Sequence, residues 1–552
     1  MKPFLDSILL TLRANRASIY HLELIQDIIP TISSFSKDVL YPLNAVGDRH
    51  GCKRIDCEHV TTPPGFAAAY RQYKEQGWHG LSFPEEYSGT GLPSSINIIK
   101  TEVMATANWS WSMYPGLGLG AARTLLKHGC SNLLKDYLPK LVTGEVLGTM
   151  CLTEPQCGSD LSLISTSAAR DPSAVRDTSA GDGEYIINGT KIFISCGNHD
   201  FTRNIYHCVL ARMKSGPPGL KGISLFLVPK YLKDGTFNKV DTVRLESKMG
   251  CHGSSTCELH FSDSRGHLIG TENKGIPHMF TFINTSRIGV ALQGVAASEM
   301  AAQYSLDYAL ERRAMRSFDT KKHEHEFPAD RIIVHPNVND MIMTMRCFAD
   351  GGRSMLYECA LLADQEDKNE KELDFLTPIL KGFMSERAIE ATQLAIQVFG
   401  GHGYIFENKV EQLSRDTRIG TIYEGTTAIQ ALDLLARKIL QRKLEPLNNF
   451  CKKTRQELYR QPCDAYTREM FRLLIELQAF TIRFAFQAKT NHELIGKIAV
   501  DYLAYIGYIV MGIHLLRLGR LDPGHLKYVD HYFNMILPRT KSHMTVMKRV
   551  GN

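Results

Sequence analysis

Apolar residues recur at three- and four-residue spacing from about residue 15 to 147, as in LELIQDIIPTISSF and GAARTLLKHG, with turns such as TTPPG between them. This pattern predicts helices. Near residue 148 the texture changes. EYIINGTKIFIS predicts a strand, an Asn188-Gly189 turn and a second strand, and NIYHCVLARM, GISLFLVPK and STCELHF predict further strands. Connections this short exclude parallel crossovers, so an antiparallel β domain is expected up to about residue 270. Helical periodicity returns at about 276. Ile379, Leu380, Phe383, Met384, Ala391, Leu394, Ala395 and Val398 mark one face of a long helix, started by Thr377-Pro378 and stopped by Gly400-Gly401. The polar stretches 316–330 and 364–374 read as solvated loops. The expected fold is α+β: an N-terminal helical domain (1–147), a middle antiparallel β domain (148–275), a C-terminal helical bundle (276–445) and an extra C-terminal helical region (446–552).

Composition adds exclusions. The 552 residues are 43% hydrophobic and 22% charged, with a formal charge of +6 and no stripe of Lys and Arg, which argues against nucleic acid. Thirteen cysteines are scattered without a CxxC pair, as expected of free thiols in a reducing, cytoplasmic setting. Asp6, Arg13 and Arg16 interrupt the N-terminal apolar stretch, so no signal peptide is expected. AYIGYIVMGIHLL (504–516), bounded by Asp501 and Arg517, is shorter than the roughly 20 residues a membrane span needs; it reads as a buried helix, with a membrane-surface or subunit contact as the other reading.

Five stretches carry candidate chemistry. YPGLGLGAARTLLKHG holds Gly116, Gly118 and Ala121 in GxGxxA order with Asp136 about 20 residues on, yet helical flanks make a tight helix–helix turn the better reading than a dinucleotide site. HEHE (323–326) lies on a polar loop without a third ligand at suitable spacing and reads as solvated. CLTEPQCGSD (151–160) is an irregular loop whose backbone N–H groups can hold a phosphate or a ring edge, or else an interdomain turn. In FGGHGY (399–404) one glycine suffices to cap the preceding helix; a second suggests something approaching bare backbone. In TIYEGTTAIQ (421–430), Thr427 and Gln430 form a plausible capping box. Glu424 then precedes the helix beside Ile422 and Tyr423, where partial desolvation would raise its pKa toward that of a general base. Local sequence leaves both that role and an ordinary acid open.

CLTEPQCGSDL, INGTKIFIS, INTSRIGV, ALERR, QVFGGHGY and RDTRIGTIYEGTTAIQ occur in one order and spacing from about residue 60 to 440, and in this the chain resembles the acyl-CoA dehydrogenases. VTTPPGFAAAYRQY, SKMGCHGSSTC, RIIVHPNVNDMI and the C-terminal extension resemble the longer 3-methylmercaptopropionyl-CoA dehydrogenase-like subgroup. The resemblance implies an α, β, α fold with a flavin-facing β domain, FAD as cofactor, and oxidation of an acyl-CoA to a trans-2-enoyl-CoA. Glu424 would remove the α-proton. Its backbone N–H, with a flavin ribityl hydroxyl, would bind the thioester carbonyl, and a hydride would pass from the β-carbon to flavin N5.

The resemblance further implies that Leu152, Thr153, Gly158 and Ser159 contact flavin ring and phosphate, while Phe193 and Ser195 cover the flavin. Arg312, Gln397, Gly400 and Gly401 would serve FAD of a neighbouring subunit, and Thr426 the adenine end. Ser159, Asn284, Arg287, Tyr423, Glu424 and Gly425 form the implied substrate set. Ala314, Arg316, Ala428 and Asn284 depart from common family residues. An electron-transferring flavoprotein is the implied electron acceptor, and a homodimer or tetramer the implied assembly. An acyl-CoA oxidase passing electrons to oxygen, and a non-catalytic flavin-binding paralogue, are the alternatives.

Overall fold

The computed structural model describes residues 1–172 and 184–550. The main helices before the sheet are α1 (Leu5–Ala14), α2 (Ile19–Phe35), α3 (Phe66–Glu75), α4 (Ser94–Ala107) and α5 (Trp109–His128). Strands β1 (Leu147–Cys151), β2 (Ser167–Arg170), β3 (Glu184–Ser195), β4 (Ile205–Met213), β5 (Ile223–Pro229), β6 (Val240–Leu245) and β7 (Thr256–Leu268) follow. After them come α6 (Gly275–Glu311), α7 (Pro336–Ala363), α8 (Glu366–Phe399), α9 (Thr427–Leu432), α10 (Glu445–Tyr459), α11 (Ala465–Thr490), α12 (Glu493–Leu521) and α13 (Arg539–Val550). The chain forms two compact units, Ile32–Gly289 and Met1–Thr31 with Val290–Asn552.

In the Ile32–Gly289 unit the strand pairings β4–β2–β3–β7–β5 close back onto β4, with β1 added at β4 and β6 at β7. The ring encloses Ile187, Val209, Phe226, Val228, Leu259 and Phe261, an alternating inward set of branched and aromatic side chains. The expected purely antiparallel sheet is corrected: β1 and β2 both pair parallel to β4. The chain from Cys151 to Ile205 contains β2 and β3, and these strands themselves supply the crossover length that parallel pairing requires.

The expected Asn188-Gly189 hairpin is also corrected. β3 runs straight through it, because the 13-residue β7 pairs with both halves, and Asn188-Gly189 forms a bulge. Asn188 exchanges two 2.9 Å hydrogen bonds with Asp263 of β7. A Cβ on Gly189 would lie 2.7 Å from Thr166 Cα, so the bulge requires glycine. The GxGxxA stretch is neither a dinucleotide loop nor a helix–helix turn, but lies inside α5. A Cβ at Gly118 would sit 2.7 Å from Leu147, and one at Gly120 would sit 2.3 Å from Phe282. These glycines let α5 pack closely on β1 and on the first turns of α6.

In the other unit, α8 begins at Glu366 rather than at Thr377-Pro378, and the expected loop 364–374 is mostly a solvated first section of that helix. Pro378 lies inside it, and just before it the Thr377 hydroxyl donates back to Leu373 O at 2.7 Å. Residues 316–330 are largely loop, as expected: Asp330 accepts from Ser317 N and Glu324 N at 2.8 Å, and Glu324 pairs with Arg313 and Arg331. α12 is long and apolar enough to cross a membrane, but 83% of its most apolar window is buried. Its Gly507 lies where a Cβ would meet Phe383 of α8 at 2.3 Å, so the C-terminal helices pack against the bundle rather than beside it. A buried ion group supports this unit: Glu299 of α6 accepts from Arg346 (3.0 Å) and Arg353 (2.8 Å) of α7, and Asp350 receives the same two guanidiniums.

Candidate active site

The loop leaving β1 is pinned from beneath. Lys191 of β3, fully buried, donates to Glu154 Oε1 at 2.7 Å and to Leu152 O at 3.0 Å. Glu154 also accepts from Ser165 N (2.7 Å), Ser165 Oγ (2.8 Å), Thr166 N (3.0 Å) and Gln156 (2.6 Å). Burial pushes this carboxyl up, but Lys191 and the other donors outweigh it and hold it at about 2. Ile192 N donates to Thr153 O at 2.9 Å, so the loop and the end of β3 are stitched together. Leu152 and Thr153 are thereby brought beside Phe193 and Ser195.

Phe193 is 59% exposed and held at φ +58°, an unfavoured backbone for a bulky residue. Gly158 and Ser159 lie at the exposed tip of the loop, and neither backbone N–H nor the Ser159 hydroxyl has a partner among the described residues. Asn284 and Arg287 sit one turn apart on α6, Asn284 exposed and Arg287 buried with its guanidinium 6.0 Å from the Phe280 ring.

In the other unit the Glu424 turn precedes α9, as expected, but its cap is corrected. Thr426, not Thr427, is the N-cap and accepts from Ile429 N at 3.3 Å. Thr427 donates instead to Glu386 Oε1 at 2.6 Å, and Gln430, fully buried, turns its amide back to Glu424 O at 2.9 Å. Tyr423 is fixed by its hydroxyl donating to Gln293 Oε1 at 2.6 Å, and Gln293 donates to Asp416 O at 2.9 Å. Glu424 itself is half-buried at φ +57° and Gly425 follows at +86°.

Gly400, at φ +59°, caps α8, with its N–H donating to Gln397 O. A Cβ at Gly400 or Gly401 would meet nothing within 4 Å, so this backbone is open to approach. Tyr308 of α6 stacks on Phe399 at 4.1 Å, and Arg312, one turn later, is exposed with no ion pair among the described residues. The structure thus groups Arg312 with Gln397, Gly400 and Gly401. It does not bring this group to the Glu424 turn: Lys381, which bonds Gly425 O, is sixteen residues before Gln397 on α8, about 24 Å along a helix.

Lys381, Gln293, Glu154 and Lys191 were not singled out by sequence, and Gln430 was singled out only as half of a capping box. The signal was there in part, since Lys381 interrupts the apolar run PILKGFM and Lys191 the strand GTKIFIS.

Family profiles match most of the chain: "Acyl-CoA dehydrogenase, N-terminal domain" over residues 49–145, "middle domain" over 149–264 and "C-terminal domain" over 273–440. The chain belongs to the acyl-CoA dehydrogenase family. It is 40% identical over 420 residues to 3-methylmercaptopropionyl-CoA dehydrogenase of Ruegeria pomeroyi, spanning 74% of this chain and 69% of that one. To a butyryl-CoA dehydrogenase of Syntrophomonas wolfei it is 35% identical, over 75% and 70%. The solved acyl-CoA dehydrogenase of Bacillus anthracis complexed with FAD superposes with TM-score 0.74 at 21% identity, covering 95% of this chain and 86% of that one, so the fold extends into the C-terminal helices. A structure described as an electron transferring flavoprotein of Acidaminococcus fermentans matches with TM-score 0.62 at 26% identity, over 74% and 96%. This is a family of FAD-dependent oxidoreductases. The residues present fit the cofactor: unpartnered donors at Gly158 and Ser159 and the exposed ring of Phe193 in one unit, an exposed Arg312 and open backbone at Gly400–Gly401 in the other.

Proposed function

We propose that the enzyme converts an acyl-CoA thioester to its trans-2-enoyl-CoA with Glu424 as the base. The observation that carries this reading is the Glu424 turn: a carboxylate held at positive φ, with its following carbonyls tied down, just outside a helix. Backbone strain at a polar residue persists where the surroundings over-determine it, as at sites that must aim a group. An α C–H beside a thioester is a very weak acid, so the carbonyl needs polarising as the proton leaves; the Glu424 N–H would donate to it.

The Cα–H bond breaks with its proton passing to the Glu424 carboxylate, the Cβ–H bond breaks as hydride, and a Cα=Cβ double bond forms. FAD, when bound, accepts that hydride. Leu152, Thr153, Gly158, Ser159, Phe193 and Ser195 would hold it, with Arg312, Gln397, Gly400, Gly401 and Thr426 serving the FAD of a homodimer or tetramer. Ser159, Asn284, Arg287, Tyr423 and Gly425 would meet the substrate, and an electron-transferring flavoprotein would reoxidise the enzyme.

Anaerobic bleaching of the flavin across a panel of acyl-CoAs, a thioether acyl-CoA included, tests the reading. Glu424→Gln is expected to keep FAD and to lose reduction by about a thousandfold, within the range of general-base contributions. Reduction at the parental rate would overturn the role of Glu424.

A further inference from the structure

Glu424 and Gly425 are consecutive residues in the left-handed region. Such a pair is unstable unless something fixes the peptide planes, because an L-residue there crowds its own carbonyl. Both carbonyls of the pair are caught by buried side chains. Gln430 Nε2 donates to Glu424 O at 2.9 Å and reaches Gly425 O at 3.3 Å. Lys381 Nζ donates to Gly425 O at 2.5 Å. Both side chains are fully buried, and they come from different helices, α8 and α9, that flank the turn.

We propose that Lys381 and Gln430 are positioning residues for the dehydrogenation, holding the two peptide planes that follow Glu424 so that its carboxylate and its own N–H keep one orientation. The inference rests on Glu424 being the base. In this buried site the hydrogen bond from Lys381 to Gly425 O has little water to compete with. The pair is itself braced. A Cβ on Gly382, next to Lys381, would lie 3.0 Å from Leu503 of α12 and 3.2 Å from Gln430 Cβ. The C-terminal helix α12 therefore presses on the place where the two donors meet, which gives the region beyond residue 446 a part in supporting the turn. Catalytic groups need holding to about half an ångström by a supporting layer, and this is that layer for Glu424.

The test uses full-length, flavin-loaded protein and the variants Lys381→Met, Lys381→Arg and Gln430→Met. In anaerobic stopped flow with the best acyl-CoA of the panel, both Met variants should lower the limiting rate of flavin reduction at least tenfold while the half-saturating concentration moves less than threefold. That split marks loss of an interaction used in the transition state rather than in binding. Lys381→Arg should recover most of the rate. Hydrogen exchange provides the readout apart from activity: amides of 421–430 should exchange at least tenfold faster in the Met variants, with 465–490 unchanged. The proposal is overturned by a parental limiting rate in the Met variants, by slow reduction without faster exchange at 421–430, or by faster exchange throughout the unit. Should no acyl-CoA reduce the parental flavin, the reading of Glu424 fails instead, and the exchange comparison still decides whether Lys381 and Gln430 hold the turn.

Discussion

Replacing Glu154 with Gln should cost the Ile32–Gly289 unit about 3–4 kcal/mol at pH 7.5. The substitution keeps the shape of the side chain but leaves Lys191, fully buried, without its carboxylate. Two routes give the magnitude. Glu154 is held at about 2 against an ordinary 4.5, and that displacement is worth about 3 kcal/mol. From the other side, Lys191 escapes an uncompensated charge by releasing its proton, and doing so three pH units below about 10.4 costs about 4 kcal/mol.

The sign follows. An orphaned Lys191 with a depressed folded pKa penalises the fold fully below that pKa, and the penalty fades as pH rises toward the unfolded value near 10.4. Trp78, Trp109 and Trp111 are the three tryptophans and all lie in this unit, so their fluorescence reports its unfolding alone. With a urea dependence of about 3 kcal/mol/M for a unit of this size, the midpoint should fall by about 1 M at pH 7.5 and by clearly less at pH 10. A midpoint within about 0.3 M of the parent, or a deficit equal at the two pH values, would refute the reasoning. FAD content should fall with it, since Lys191 also holds Leu152 O.

Three further outcomes are expected. Lys100 is buried with Nζ donating to Tyr73 OH and Trp78 O, and burial draws it down to about 7; its charge penalty is full below 7 and is relieved toward 10.5, so the tryptophan-monitored midpoint should rise from pH 6.5 to 9 in the parent and less steeply in Lys100→Met. Glu299→Gln removes the carboxylate that Arg346 and Arg353 share and should cost about 3–5 kcal/mol, seen as a lower melting temperature of the helical signal by circular dichroism. Gly120→Ala forces a Cβ to 2.3 Å from Phe282 and should cost about 1–3 kcal/mol in the tryptophan-monitored unfolding.

The order of helices, strands and helices was legible because period sets element type, while a segment buried all round, such as α12, shows as a continuous apolar run. What failed depended on partners distant in sequence. Asn188-Gly189 has turn chemistry, but β7 is long enough to pair across it, and the close approach of Thr166 turns the glycine into a packing requirement. The parallel β1–β4 pairing was hidden for the same reason: local spacing does not reveal that two other strands make the crossover. Gly116, Gly118 and Ala121 matched a dinucleotide-loop spacing by coincidence; Gly118 and Gly120 answer a different need, close approach of α5 to Leu147 and Phe282.

At the site, the carboxylate was legible and its support was not. Sequence placed Glu424 outside the helix, but gave the cap to Thr427 because two threonines stand together, and only geometry separates the one that meets Ile429 N from the one that meets Glu386. Gln430 looked like half of a capping box; in the fold it works against that reading, reaching back to a carbonyl where a box would offer an acceptor to an N–H. The exchange of roles has a physical cause. A base aimed from a left-handed turn needs donors for the carbonyls that the turn exposes, and those donors must be buried to be rigid. A lysine or glutamine inside an apolar helix or strand is where such donors come from, so charges that break a core pattern, Lys381 beside Gly425 and Lys191 beside Leu152 alike, mark backbone that buried donors hold in place.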